Sequence, residues 1–210
     1  MSLFELFERG GPLMWAILVA SVIGVAAFIE RMWALRRSRI LPMPVLESLL
    51  KHLDVGDRER AAQVCRDHQA SVCRIVESGL RHRGGGRMVA REAMEETGRV
   101  EVAQLEVGVG ALSTVAAIAP LLGLLGTVTG MIKVFRDVAD VQNPDIAILA
   151  RGIWEALLTT GAGLTVAIPM YVAYRFVEGR IGHHERDLEE ASLDVLDLIC
   201  PPEPFHEDEA

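Results

Sequence analysis

Polar side chains inside long apolar stretches are the residues of this sequence that could do chemistry. Thr127 lies in an uncharged run from Val107 to Ile132, and Glu155 is the one acidic residue of the apolar segment from Ile153 to Val177. A carboxylate at the centre of a bilayer costs roughly 2.5–3.5 kcal/mol, so we expect Glu155 to face protein or water. It is either a polar group at the mouth of an ion path or an interfacial residue at a helix entrance.

The run around Thr127 carries a stripe of small and hydroxyl residues. On a helix with about 100° per residue, six of them fall within about 60° of one direction: Ser113, Ala116, Pro120, Gly123, Thr127 and Gly130. Such a stripe is typical of close helix packing, and Gly126 to Gly130 is itself a GxxxG pattern. Alternatively the stripe lines a narrow wet passage, because Thr127 adds a hydroxyl and Pro120 frees a backbone carbonyl one turn earlier.

Neither apolar segment holds a chain of titratable groups that would carry a proton across a membrane by itself. A threonine hydroxyl cannot hold a transported charge at neutral pH, so we expect this chain to supply hydrogen-bonding walls while another chain supplies the acid. Around the helix predicted for 153–177, Thr159 lies about 40° from Glu155 and Thr160 about 140°. We therefore do not expect one helix face to hold both threonines.

Three apolar stretches are long enough to cross a bilayer: residues 11–29, 107–132 and 153–177. Of the 21 Lys and Arg residues, 14 lie between the first and second stretches. Because positive charge favours the cytoplasmic side, this bias predicts a periplasmic N-terminus and a cytoplasmic C-terminus. The sequence thus predicts a multi-pass, all-α membrane protein whose second and third spans extend into a cytoplasmic helical bundle.

The remaining segments follow from this topology. We expect a single helix from Arg87 to Ile132, after a hinge at Gly84-Gly85-Gly86, and an end to the last helix at Cys200-Pro201-Pro202. The segments outside the spans are a periplasmic N-terminus (1–10), a cytoplasmic helical region (30–106), a short periplasmic loop (133–152), and a cytoplasmic C-terminal helix with an acidic tail (178–210).

Composition argues against several function classes. The formal charge of −8 comes largely from the C-terminal tail, which does not favour a nucleic-acid partner. Three cysteines without metal-ligand spacing predict free thiols, and the His183-His184 pair lacks neighbouring ligands for a metal. No nucleophile with a base and no phosphate loop is present, so we expect neither an enzyme nor a cofactor.

Two blocks of this sequence resemble the MotA/TolQ/ExbB family of proton-driven motor subunits. They are APLLGLLGTVTGMI (119–132) and GIWEALLTTGAGLTVAIP (152–169). The first span followed by Glu30-Arg31 fits the same pattern. Three spans with a large inner loop look like the ExbB and TolQ branch, since the flagellar MotA branch has four.

The resemblance implies a pentameric pore in the bacterial inner membrane, lined by the second and third helices. Single-span partner helices of the ExbD/TolR type sit inside it and bring an essential aspartate. Threonines matching Thr127 and Thr160 face that aspartate, and a glutamate matching Glu155 lines the same pore. Proton flow then drives a TonB- or TolA-like periplasm-spanning protein.

Three functions follow as expectations. The first is an ExbB-like subunit for energised import across the outer membrane, which overall resemblance favours slightly. The second is a TolQ-like subunit for envelope maintenance and division. The third, of another class, is a non-conducting membrane scaffold whose small-residue stripe only packs helices.

Overall fold

The computed structural model describes residues 11–139 and 146–201, apart from the side chain of residue 148, and their regular elements are helical throughout. The predicted N-terminal segment 1–10, residues 140–145 of the predicted loop and the tail beyond residue 201 lie outside the described residues. The α-helices are α1 (Pro12–Ala34), α2 (Arg37–Ile40), α3 (Met43–Asp54), α4 (Arg58–Asp67), α5 (Ser71–His82), α6 (Arg87–Glu106), α7 (Val109–Ala139) and α8 (Ile146–Ile199).

Three of these helices are long and apolar enough to cross a membrane. Their candidate spans are Pro12–Ala34, Val109–Ala139 and Leu149–Ile199, with mean hydropathies of 2.3, 2.0 and 1.5. The predicted stretch 153–177 lies within the third, and all but the first one or two residues of 11–29 and 107–132 lie within the other two. At about 1.5 Å per residue, even α1 is about 35 Å long, which exceeds the hydrocarbon core.

The chain divides into two compact units. Among the described residues, the apolar unit comprises those of 11–31 and 108–177, and the polar unit comprises those of 32–107 and 178–201. The long helix α8 therefore contributes to both. The side of the membrane on which each segment lies stays a prediction.

Within the apolar unit, α1 packs against both other helices at Gly24. This glycine is buried, and a Cβ atom there would lie 2.6 Å from Met170 Sδ on α8 and 3.2 Å from Val115 Cγ1 on α7. Met14 and Ile17 are also buried, while Trp15, Val19, Val22 and Ile23 are exposed. One side of α1 thus meets protein, and apolar side chains cover the rest, as a lipid-facing helix requires.

The predicted continuous helix from Arg87 to Ile132 is wrong. α6 ends at Glu106 and α7 begins at Val109, with Gly108 between them at φ +86°. Residues other than glycine rarely adopt this left-handed conformation. A Cβ at Gly108 would also lie 3.2 Å from Arg31 Nε, so glycine lets the guanidinium approach the backbone at the break.

Other predicted boundaries agree with the structure. α6 begins at Arg87 after the glycine triplet, and α8 ends at Ile199, immediately before Cys200 and Pro201. The predicted loop 133–152 is shorter in the structure, because α7 and α8 extend into it from both sides. Residues 133–139 and 146–152 are helical. Cys65, Cys73 and Cys200 are free thiols, as expected.

Apolar contacts and long-range ion pairs hold the polar unit together, and one of these pairs joins Arg37 to Asp187 of α8 at 3.3 Å. Leu46, Leu49 and Leu53 of α3 are buried, as their helical spacing predicts. Arg74 of α5 pairs with Glu101 of α6, and Arg87 pairs with Asp197 near the end of α8. The hydrogen bond to Glu101 raises the pKa of Arg74 above its ordinary value.

Loss of the Arg74 guanidinium should destabilise the polar unit. The Glu101 side chain is only 3% exposed, so Arg74→Gln leaves a buried carboxylate without its cation. Because Arg74 is itself 45% exposed, we expect a moderate fall of about 2 kcal/mol in the free energy of unfolding. Urea unfolding of the detergent-solubilised chain measures it. Arg81→Gln breaks an exposed pair with Glu77 and is the control; equal losses in both variants would contradict the argument.

Candidate functional site

The contact between α7 and α8 is built from small residues. Positions that face each other across it are Ala119 with Gly163, Gly123 with Thr160, Gly126 with Thr159, and Gly130 with Ala156. Residue numbers fall along α8 as they rise along α7, so the two helices are antiparallel. Glycine is required at the tightest points, since a Cβ at Gly123 would lie 3.0 Å from both Thr159 O and Thr160 Cα.

The predicted small-residue stripe of α7 is split by this contact. Gly123 and Gly130 lie in the interface with α8, and so does Gly126. Ser113, Ala116 and Pro120 are half-buried, and the Ser113 hydroxyl donates to Gly110 O at 3.0 Å. Close helix packing therefore explains why the three positions are glycine, while a pore-lining role for the stripe stays a prediction.

Both threonines of α8 reach the same backbone group on α7. Thr160 Oγ1 donates to Gly123 O at 2.9 Å, and the buried Thr159 Oγ1 donates to Ala156 O at 2.7 Å and lies 3.5 Å from Gly123 O. The expectation that one helix face cannot hold both threonines is wrong for this interface. Because Gly123 has no side chain, the backbones approach so closely that adjacent α8 residues straddle it.

The antiparallel register places Thr127 near the level of Thr159, because Thr127 is one residue along α7 from Gly126, which faces Thr159. Thr160 faces Gly123, so it lies about one helical turn from Thr127 along the hairpin. Thr127 is half-buried. Glu155 is four residues from Thr159 on α8, or about 6 Å along the axis. It is half-buried, and none of the described residues provides it with a hydrogen bond or an ion pair. The structure thus groups the three predicted pathway residues within about two turns of the hairpin.

The hydroxyl groups of Thr127 and Thr160 already donate hydrogen bonds within the hairpin. Thr127 Oγ1 donates to Leu124 O at 2.7 Å, and Thr160 Oγ1 donates to Gly123 O. A hydroxyl has one hydrogen and two lone pairs, so each of these oxygens retains only the capacity to accept. Such a surface can receive a hydrogen bond from a protonated carboxylic acid and offers little to an ionised carboxylate.

Several interface residues were not predicted from the sequence. Ala119, Ala156 and Gly163 are buried at the contact, whereas the predicted stripe lies on α7 alone and does not include Ala119. The α8 sequence carries a matching signal, since Ala156, Thr159, Gly163 and Ala167 recur every three or four residues and all are buried. This spacing on two helices would have predicted their contact.

The sequence matches the model of the MotA/TolQ/ExbB proton channel family over residues 67–190, which include most of α7 and α8. The chain belongs to this family. Its members are channel proteins of the membrane, in agreement with the three apolar helices. Among residues 11–139 and 146–201, no group of three or more His, Cys, Asp or Glu side chains is placed to hold a metal ion.

Individual relatives extend the match over most of the chain. A putative biopolymer transport protein ExbB homolog of Methanothermobacter thermautotrophicus is 32% identical over 94% of this chain and 68% of its own length. The biopolymer transport protein ExbB of Pseudomonas putida is 30% identical over 88% of this chain and 56% of that protein. The Tol-Pal system protein TolQ of Pseudomonas aeruginosa is 29% identical over 80% of this chain and 77% of its own length.

Proposed function

We propose that this chain is a proton-channel subunit whose α7–α8 hairpin forms hydroxyl-lined walls for an acid that another chain supplies. The observation that carries the proposal is that Thr127 and Thr160 lie within about one turn of each other along the hairpin and both donate to backbone carbonyls. Their free lone pairs suit the neutral, protonated form of a carboxylic acid. A group that is neutral at this level can cross the low-dielectric region far more cheaply than its anion.

The acid is proposed to come from an ExbD/TolR-like single-span partner, inside a homo-oligomer of this chain that is most simply a pentamer. Support comes from membership of the proton channel family and from relatives named ExbB and TolQ. Apolar side chains that remain exposed on α7 leave surface for neighbouring copies, a partner helix or the bilayer; they include Leu121, Leu124, Leu125, Val128 and Ile132. Proton flow would then move a TonB/TolA-like protein that spans the periplasm.

The load is proposed to be energised import across the outer membrane, as the ExbB relatives suggest. A TolQ-like role in envelope maintenance is the second candidate, favoured by the TolQ relative that covers 80% of this chain. In either case we place the chain in the bacterial inner membrane with its N-terminus in the periplasm, because of the charge bias between the spans. The alternative function of a non-conducting scaffold would require only the small-residue contact between α7 and α8 and no role for the threonine hydroxyl groups.

Substitution of Thr127 and Glu155 tests the proposed pathway. With the proposed single-span partner co-expressed, Thr127→Ala and Glu155→Ala should each lower proton-driven activity by about tenfold or more, because each removes a polar contact to the moving acid. Thr129→Ala is the matched control: Thr129 is exposed on the same helix, and its hydroxyl donates to Leu125 O at 2.8 Å. Unchanged activity in both test variants would leave the scaffold as the better account.

A further inference from the structure

Cys65 of α4 and Cys73 of α5 form a pair of buried thiols in the polar unit. Cys65 is 5% exposed and Cys73 is 1% exposed, and both are free. Their side chains make a hydrogen bond with each other, so the two sulfur atoms are in contact. Two thiols in contact on neighbouring helices are an arrangement from which a disulfide can form.

The two thiols of this pair differ in acidity. The hydrogen bond from Cys65 is the main cause that lowers the pKa of Cys73 to about 7; a backbone hydrogen bond at Ala70 acts in the same direction, and burial opposes both. Cys73 is also the third residue of α5, and the start of a helix favours a thiolate. The same hydrogen bond, together with burial, raises the pKa of Cys65. Cys73 therefore provides the nucleophilic thiolate, while Cys65 keeps its proton.

An oxidant can reach the pair by way of α4. Of the ten residues of this helix, only Ala61 and Cys65 are buried. A helix that buries so little apolar surface opens locally at a low cost in free energy, because few contacts are lost. Hydrogen peroxide is little larger than water, so a brief displacement of α4 admits it to the sulfur atoms.

We propose that Cys65 and Cys73 are a redox-sensitive pair that hydrogen peroxide converts into a reversible disulfide. The Cys73 thiolate attacks one oxygen of the peroxide, the O–O bond breaks, and the leaving hydroxide takes up a proton to become water. The Cys65 sulfur then attacks the Cys73 sulfenic acid. The S–S bond forms as the S–O bond breaks, and the second hydroxide leaves as water with the proton of Cys65. Two thiols are thus oxidised while one peroxide is reduced to two waters.

The disulfide would fix α4 to the rest of the polar unit. Arg74, the residue after Cys73, pairs with Glu101 of α6, so α5 is itself tied to the next helix. A bond from Cys65 to Cys73 would prevent the local opening of α4. The charge bias of the sequence predicts a cytoplasmic location for this segment, where thiols are kept reduced and a disulfide is typically transient and redox-sensing.

Peptide mapping of the full chain in detergent tests the proposal. Trypsin cleaves after Arg60, Arg66 and Arg74, so the two cysteines lie in separate peptides, AAQVCR and DHQASVCR. After an equimolar amount of hydrogen peroxide and alkylation of the remaining thiols, these peptides should be recovered joined, and dithiothreitol should release them. Cys200, which is half-buried, is the internal control and should be oxidised at least about tenfold less.

Two serine variants identify the nucleophile. Cys65→Ser keeps a hydrogen-bond donor beside Cys73, so dimedone, which reacts with sulfenic acids, should label Cys73 after peroxide treatment. Cys73→Ser should leave Cys65 unlabelled. The wild-type peptide map needs neither variant, so it stands even if one of them fails to fold. Recovery of the two peptides separately, oxidation of Cys200 to the same extent, or equal dimedone labelling of Cys65 and Cys73 in the two variants would overturn the proposal.

Discussion

Gly163→Ala is expected to destabilise the apolar unit strongly. A Cβ at this position would lie 2.5 Å from Ala119 O and 3.1 Å from Gly123 Cα, and both are backbone atoms of α7. Because neither can move without shifting the helix, the added methyl group forces α7 and α8 apart. We expect a loss of about 1–3 kcal/mol in the free energy of unfolding, measured by titration with sodium dodecyl sulfate in mixed micelles.

Gly161→Ala is the matched control for this prediction. Gly161 is exposed on the same helix two residues earlier, and a Cβ there would meet nothing within 4 Å. Both substitutions add one methyl group to a helix interior, so they share any gain in helix propensity. If the two variants unfold at the same detergent fraction, the close α7–α8 contact is not what stabilises the unit.

Thr160→Val is expected to lower proton-driven activity strongly in the presence of the proposed single-span partner. Valine keeps the branched shape of threonine but removes the oxygen that donates to Gly123 O at 2.9 Å and that would accept from the moving acid. Loss of a hydrogen bond to a group in transfer should lower proton flux by about tenfold or more. Flux into proteoliposomes containing both proteins, driven by a pH gradient, provides the measurement.

Two companion variants distinguish the loss of the hydroxyl group from a general effect on folding. Thr160→Ser retains an oxygen and should restore most of the flux. Thr165→Val removes a hydroxyl from the exposed side of the same helix, where Thr165 Oγ1 donates to Gly161 O at 2.7 Å, and should leave the flux unchanged. A Thr160→Val complex that conducts as well as the wild type would remove Thr160 from the pathway.

Much of the helical architecture follows from local signals in the sequence. Segregation of charge from apolar residues predicts the three long apolar helices, and glycine and proline mark the start of α6 and the end of α8. The break at Gly108 could not be predicted in this way. A single glycine is tolerated within many helices, and here the backbone turns where the Arg31 side chain, 77 positions earlier in the chain, approaches it.

The candidate site was only partly predictable for a similar reason. A hydroxyl at Thr127 and a carboxylate at Glu155 stand out because their neighbours are apolar. The shared contact of Thr159 and Thr160 with Gly123 depends on the register between two helices, which the periodicity of either helix alone does not determine. Helical-wheel reasoning treats residues 100° apart as divergent, whereas a glycine opposite them lets both make contact.

The position of the threonines in the assembled complex tests the central claim most directly. A structure of this chain with the proposed single-span partner, determined in a lipid bilayer, should place Thr127, Glu155 and Thr160 around a central cavity that contains the partner's acidic residue. The carboxyl group of that residue should approach Thr127 Oγ1 or Thr160 Oγ1 to within hydrogen-bonding distance. Lipid acyl chains against Thr127 and Thr160, with the partner's acid elsewhere, would contradict the account.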